Sequence, residues 1–240
     1  RDGLVTGVQT CALPIWAALL CAATGDCELL ARLIKDEHPS VREAGVRAIG
    51  RLRLRDSCTS LVMALVDEVE PVRIAAAEAL GSCSDHGIVS ESLCLALRDT
   101  SPWVQAAALR SLVELSGSEV LPEVLELWQR GAEVAQLACL EVLDLIEAPE
   151  GFALVSQALG QRDGEVLKSA IAVLARHAPE LLMPWFNHIL SHQDWDVRLA
   201  AVRACATLPG ADRDELLQIS LDREEHDLVR LAIQQLLDSR

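Results

Sequence analysis

The chain has 240 residues, 51% of them hydrophobic, with 36 acidic and 21 basic side chains and a formal net charge of -15. That length and apolar content suffice for a large core. The absence of any run of about 18 uninterrupted apolar residues excludes a helical membrane span. The acidic excess opposes the phosphate neutralisation by Lys and Arg that nucleic-acid binding requires.

At the start, Val5 to Ile15 reads Val-Thr-Gly-Val-Gln-Thr-Cys-Ala-Leu-Pro-Ile. It resembles the translation of a sequencing-library adapter and fits no pattern found later in the chain. Residues 1–15 are therefore expected to be a non-native segment and are excluded from fold reasoning. Residues 16–25 are expected to be the remnant of a truncated repeat, which would make the chain a C-terminal fragment, and 26–240 the repeat domain.

From there a repeat of about 31 residues runs to the end, a period that marks a solenoid. Its anchor is the apolar residue opening a second helix: Val41, Val72, Val104, Ala135, Val166, Val197 and Leu228. Four residues on stand Gly45, Ala76, Ala108, Cys139, Ala170, Ala201 and Ala232, all small. Offsets five and eight are apolar, so these positions share one face of a 3.6-residue helix. Eleven and seven residues before the anchors lie Leu30 and Ile34, Leu61 and Leu65, Leu93 and Leu97, Val124 and Trp128, Val155 and Leu159, Phe186 and Leu190, Leu217 and Leu221. Each repeat is thus predicted as helix, tight turn, helix and loop. Pro39, Pro71 and Pro102 fit the starts of second helices, and Pro122 and Pro184 open two first helices. Gly50, Gly81, Gly117 and Gly210 read as C-terminal stops. In the last repeat Gln235 at offset seven is expected to give the stack a polar end, since no neighbour covers it.

The segments Pro39-Ser-Val-Arg-Glu-Ala-Gly-Val-Arg-Ala-Ile-Gly50, Pro71-Val-Arg-Ile-Ala-Ala-Ala-Glu-Ala-Leu-Gly81 and Asp194-Trp-Asp-Val-Arg-Leu-Ala-Ala-Val-Arg-Ala204 resemble the HEAT repeat family. The likeness is greatest to its short bacterial form, the phycobilisome-lyase HEAT-like repeat, and covers about residues 26–240. It implies an all-α, right-handed α-solenoid of about seven helix-turn-helix repeats. Repeats four and five carry Ala135-Gln136 and Val166-Leu167 where the family has Val-Arg, so their turns are expected to be less regular. In such stacks an Arg after the anchor, here Arg42, Arg73 and Arg198, braces neighbouring turns with acids. The turn acids here are Asp36 and Glu37, Asp67 and Glu68, and Asp194 and Asp196.

The charge is uneven: between Val113 and Glu165 eleven acids face only Arg130 and Arg162. Some HEAT-like proteins are DNA glycosylases, but these need a basic groove. Of the 8 cysteines none forms a C-x-x-C pair. Cys139 and Cys205 fall in core columns, which favours a reducing compartment, hence the bacterial cytoplasm. His188 and His192 are four apart with Asp194 beyond, but lack the glutamate of a zinc-binding H-E-x-x-H helix. Deoxyhypusine hydroxylases, HEAT-like iron enzymes, use His-Glu dipeptides. This chain has only the reverse, Glu37-His38 and Glu225-His226. No phosphate loop or nucleophile motif occurs, and no cofactor, metal site or catalytic set is expected.

What remains is the outer face of the second helices, offsets two and six. Candidate partner-binding residues there are Ile74, Glu78, Arg110, Leu137, Glu141, Leu199 and Arg203, apolar anchors among charges. Trp103 and Trp195 in the turns are either further anchors or caps of the stack. The expected role is a non-catalytic protein-binding scaffold, its partner another protein with a basic surface suited to the acidic middle. The resemblance also implies two alternatives: a phycobilin lyase-like subunit that handles a chromophore, or the accessory domain of a larger signalling protein.

Overall fold

The computed structural model describes residues 27–52, 58–83, 86–161, 164–208 and 210–238. Among these, fourteen α-helices form seven hairpins. The first three are α1 (Cys27–Leu33) with α2 (Pro39–Leu52), α3 (Cys58–Ala64) with α4 (Glu70–Leu80), and α5 (His86–Ala96) with α6 (Pro102–Ser116). A 3-10 turn, Gly117–Val120, leads to α7 (Leu121–Arg130) and α8 (Glu133–Ile146). Then follow α9 (Pro149–Ala158) with α10 (Gly164–His177), α11 (Phe186–Ile189) with α12 (Trp195–Cys205), and α13 (Gly210–Leu221) with α14 (Asp227–Asp238). The fold class is an α-solenoid.

The chain divides into two compact units, 1–138 and 139–240. In the first, α2 packs on α4 and α4 on α6, while α1, α3 and α5 cover their own second helices. In the second, α10 packs on α12 and α12 on α14, with α9 and α13 on the other layer.

The small column lies inside the stack, and at Gly45 it faces the first helix of the same hairpin. Ala76, Ala108, Ala170 and Ala201 have no exposed surface. A Cβ built on Gly45 would meet Leu33 Cβ and Ile34 Cγ2 at 3.1 Å, so even one added carbon would crowd the first helix. The anchors Val41, Val72, Val104, Ala135, Val166 and Val197 are buried, as are Leu30, Leu61, Leu93, Val124, Val155, Phe186 and Leu217. Trp128, the largest side chain at its position in the repeat, is fully enclosed.

The seventh anchor requires correction. Leu228 is 54% exposed, and the buried residue is Val229. The backbone agrees: Val229 and Arg230 donate to His226 O, as Val72 and Arg73 donate to Val69 O. Because Leu217 keeps the earlier spacing, the extra residue lies in the turn before α14. Every position in that helix moves by one. Offset four, small in the other hairpins, holds the buried Ile233; offset five, apolar elsewhere, holds the exposed Gln234; and offset seven is Leu236 rather than Gln235.

The turn signals also divide. Gly117 caps α6 at φ +56° and ψ -130°, a positive-φ conformation that favours glycine but is not the left-handed helical geometry of the usual stop. Gly81 caps α4 as expected, in a right-handed conformation at φ -57°, whereas Gly50 lies inside α2 and Gly210 opens α13. Pro184 does not open a helix; it sits within a 3-10 stretch, Pro179–Trp185, that shortens the first helix of the sixth hairpin to four residues. As expected, the turns before α8 and α10 differ from the rest: two residues join α7 to α8, and a 3-10 turn, Leu159–Gln161, follows α9. Ser101 begins α6 by accepting from Trp103 N and Val104 N, and its hydroxyl donates to Glu70 of the preceding repeat.

Cys139 and Cys205 are buried as the columns require, and burial pushes the Cys205 thiol up to about 12. Residues 1–26, which hold the adapter-like segment and the expected repeat remnant, lie outside the described residues. No described helix is long and apolar enough to cross a membrane.

Ala201 tests the close approach. Ala201→Leu is expected to destabilise the chain by roughly 1–3 kcal/mol through overpacking. Thermal denaturation measures this, and an unchanged midpoint would contradict the role given to the small column.

Candidate functional site: the second-helix face and its arginine ladder

The arginine after each anchor does brace the turns, but its acid comes from the next repeat. Arg42 donates to both carboxylate oxygens of Asp67 at 2.7 and 2.9 Å, and Arg73 to Asp99 at 2.8 and 3.0 Å. Arg198 does the same to Glu224 at 2.8 and 2.7 Å. Each guanidinium also donates to carbonyls of its own turn: Arg42 to Asp36 O and Glu37 O, Arg73 to Asp67 O and Glu68 O, Arg198 to His192 O and Gln193 O. The acid in turn accepts a backbone N–H two residues on, from Val69, Ser101 and His226 respectively. One planar cation thus joins two turns by fork-to-fork geometry that Lys cannot supply.

Asp99 and Glu224 were not among the acids singled out from sequence, which precede the arginine rather than follow it by 26 residues. Asp36 and Glu37 serve Arg42 through their carbonyls. Asp196 binds Lys168 instead, at 2.6 Å. In the third hairpin Gln105 replaces Arg; its Nε2 donates to Asp99 O at 2.7 Å, while its Oε1 is buried without a partner. Arg130, in the following turn, reaches back to Leu97 O.

These contacts set the charge states. Burial by itself raises the Asp67 and Asp99 carboxyls, but the hydrogen bonds and charge of Arg42 and Arg73, with the backbone N–H groups, outweigh it and hold both below the ordinary range. The Arg198 hydrogen bond lowers Glu224 against its burial. A carboxyl depressed in the folded state contributes stability that is present above its unfolded value and lost as pH falls through the folded one.

The candidate residues fall on the second-helix face in both units. In the first, Ile74 and Leu137 are half-buried and Glu78 and Arg110 exposed. Glu78 is paired across the helices with Arg47 at 3.1 Å, and Arg47 with Glu43 at 3.0 Å. In the second, Leu199 is half-buried, with Glu141 and Arg203 exposed. Leu199 and Arg203 line an open groove of about 540 Å³ between α10 and α12, with alanines along its floor. At the seventh repeat the register correction replaces Arg230 and Gln234 on this face by Leu231 and Gln235.

Two further sequence features are now placed. Trp195 stacks flat on His226 of the next repeat, ring centroids 4.4 Å apart, and remains 40% exposed; Trp103 is 59% exposed. His192 Nδ1 accepts from Asp194 N at 3.1 Å, while His188 faces the edge of Trp185. Among the described residues no group of three or more His, Cys, Asp or Glu side chains is gathered for a metal.

The sequence model of the family described as HEAT repeats matches residues 12–86, 90–175 and 152–238. The comparison with curated proteins gave no match. Among solved structures, the complex of CpcE and CpcF of phycocyanin lyase from Nostoc sp. PCC7120 is 21% identical over 88% of this chain and 93% of that one, with a TM-score of 0.51. YibA of Escherichia coli is 16% identical over all of both chains, TM-score 0.62. An engineered protein is 20% identical over 94% of this chain and 70% of that one, TM-score 0.53. At these identities the likeness is one of fold.

The ladder gives a pH prediction. Glu224→Gln should cost roughly 1–3 kcal/mol at neutral pH, as expected when one partner of a charged hydrogen bond is removed. The difference from the parent chain should shrink once the pH is well below the unfolded carboxyl value of about 4.3. Denaturant unfolding at both pH values measures it; an equal difference at acid pH would contradict the ion-pair account.

Proposed function

We propose that this chain, which belongs to the HEAT repeat family, is a non-catalytic scaffold that binds another protein through the face of its second helices. The observation that carries this reading is the repeated placement of a half-buried apolar residue one turn from an exposed charge, at Ile74 and Glu78, Leu137 and Glu141, Leu199 and Arg203. Such apolar anchors among charges suit a protein interface. The scaffold is already folded, so docking orders little of it and loses little entropy. The acids concentrated between Glu114 and Glu165 favour a partner with a basic surface there and speed its approach. The buried cysteine thiols support a reducing location, the bacterial cytoplasm.

A second reading rests on the likeness to the CpcE–CpcF complex alone: a subunit that handles a bilin chromophore. Adding a bilin to the purified chain tests it, since binding shifts the absorption of the pigment. An unchanged spectrum counts against it.

For the scaffold reading, the tagged chain is expected to retain a protein partner that is lost with Leu137→Asp, or with Glu78→Lys and Glu141→Lys combined. A drop of about tenfold or more in affinity corresponds to one good interface anchor. The unfolding midpoint should stay the same. Full retention by the folded variants would overturn the reading.

A further inference from the structure

The corrected register of the last hairpin changes what its face offers. In the unit 139–240, compare two positions at successive helix pairs: two residues after one anchor, and one residue before the next. Between α10 and α12 these are Lys168 and Asp196, joined at 2.6 Å. Between α12 and α14 they are Leu199 and Leu228. Two leucines therefore stand where the preceding pair closes its surface with an ion pair. Leu228 and Leu231 are each more than half exposed. Trp195, one turn before Leu199 on α12, stacks on His226 in the turn before α14, with planes 1° apart, and that stack holds the indole in place.

One turn beyond Leu199, Arg203 projects from the same face, and no carboxylate among the described residues pairs with it. Its counterpart on α14, Gln235, is exposed and uncharged. In a chain of net charge -15, a surface guanidinium without an acid is a place for a carboxylate from outside, which it can hold with two parallel hydrogen bonds.

We propose that the face of α12 and α14 docks an amphipathic helix of a partner protein. Its apolar stripe covers Trp195, Leu199, Leu228 and Leu231, and an Asp or Glu beside the stripe pairs with Arg203. The geometry favours a helix: neighbouring packed helices lie about 8–10 Å apart, and residues i and i+7 of a crossing helix are separated by about 10.5 Å. One apolar residue thus falls on each supporting helix, in the spacing of helix-in-groove recognition. The inference rests on the scaffold reading above and gives that reading one occupant, distinct from the basic partner suited to the acidic middle.

The test uses helical peptides displayed on phage and selected against the immobilised full chain, followed by anisotropy titration of a labelled selected peptide. Selected sequences should share apolar residues at helical spacing with an Asp or Glu beside them. Leu231→Asp should abolish binding. Arg203→Glu should weaken it at least about tenfold, the loss expected from one charge-assisted pair, and a peptide with Lys in place of its acid should recover the loss. All these variants lie on the surface and should keep the parent unfolding midpoint. Binding indifferent to both substitutions, or selection of basic peptides, overturns the proposal. So does a concentration-dependent dimer that Leu231→Asp converts to monomer, because the occupant is then a second copy. Peptides sensitive to Leu137→Asp but not to Leu231→Asp overturn this inference and leave the scaffold reading standing. No helical binder to the folded chain counts against both.

Discussion

Close approach between consecutive second helices is the constraint on which the rest of the molecule depends. It is tightest where Gly50 of α2 meets Ala79 of α4, since a Cβ added there would lie 2.7 Å from that of Ala79. The column that holds only Gly, Ala or Cys in the first six hairpins faces, at Gly45, the first helix of its own hairpin. α2 packs on α4 and α12 on α14, with the apolar columns of the second helices buried between the layers. No hairpin of this size can offset its own conformational entropy. Stability is shared between neighbours, which is why the anchor and small columns are so uniform while the outer face varies freely.

That approach also brings the turns within reach of one another, and there the arginine ladder operates. A guanidinium after the anchor satisfies the carbonyls of its own turn and the carboxylate of the next, and that carboxylate caps the turn it belongs to. Three such links, at Arg42, Arg73 and Arg198, are built alike despite lying far apart in sequence. Gln105 interrupts the series because an amide can serve its own turn but presents no second cationic fork. Its buried, unpartnered oxygen marks the missing rung.

With the core and turns committed to stacking, the outer offsets of the second helices form one repeated face that a partner can use. Their chemistry changes along the chain. In the first hairpins Arg47 bridges Glu43 and Glu78. Further on Lys168 bridges Glu165 and Asp196. At the last step leucines replace the ion pair, and no carboxylate among the described residues pairs with Arg203. A repeat architecture thus presents several unlike surfaces on one regular frame, and the difference lies in single residues at equivalent positions.

The helical repeat, its period and most of the buried columns were legible from the sequence, because 3.6-residue periodicity and small-residue spacing are local properties that any stacked hairpin must obey. Cys139 and Cys205 could be assigned to the core on that basis alone. The partners of the arginines were not legible, since a cation 26 residues from its carboxylate meets it only after two hairpins have stacked. The register of α14 was misread for a related reason. Leu228 and Val229 are equally apolar, and only packing against α12 decides which of them is buried. The stop signals at Gly50 and Gly210 failed likewise: glycine permits a helix to end, as at Gly81 and Gly117, but packing decides whether it does, and Gly50 is carried inside α2 while Gly210 opens α13. Sequence periodicity determined that this chain is a stack of helical hairpins. Tertiary packing decided which side chains brace it and which remain on its surface, because those identities depend on neighbours that lie about one repeat away along the chain.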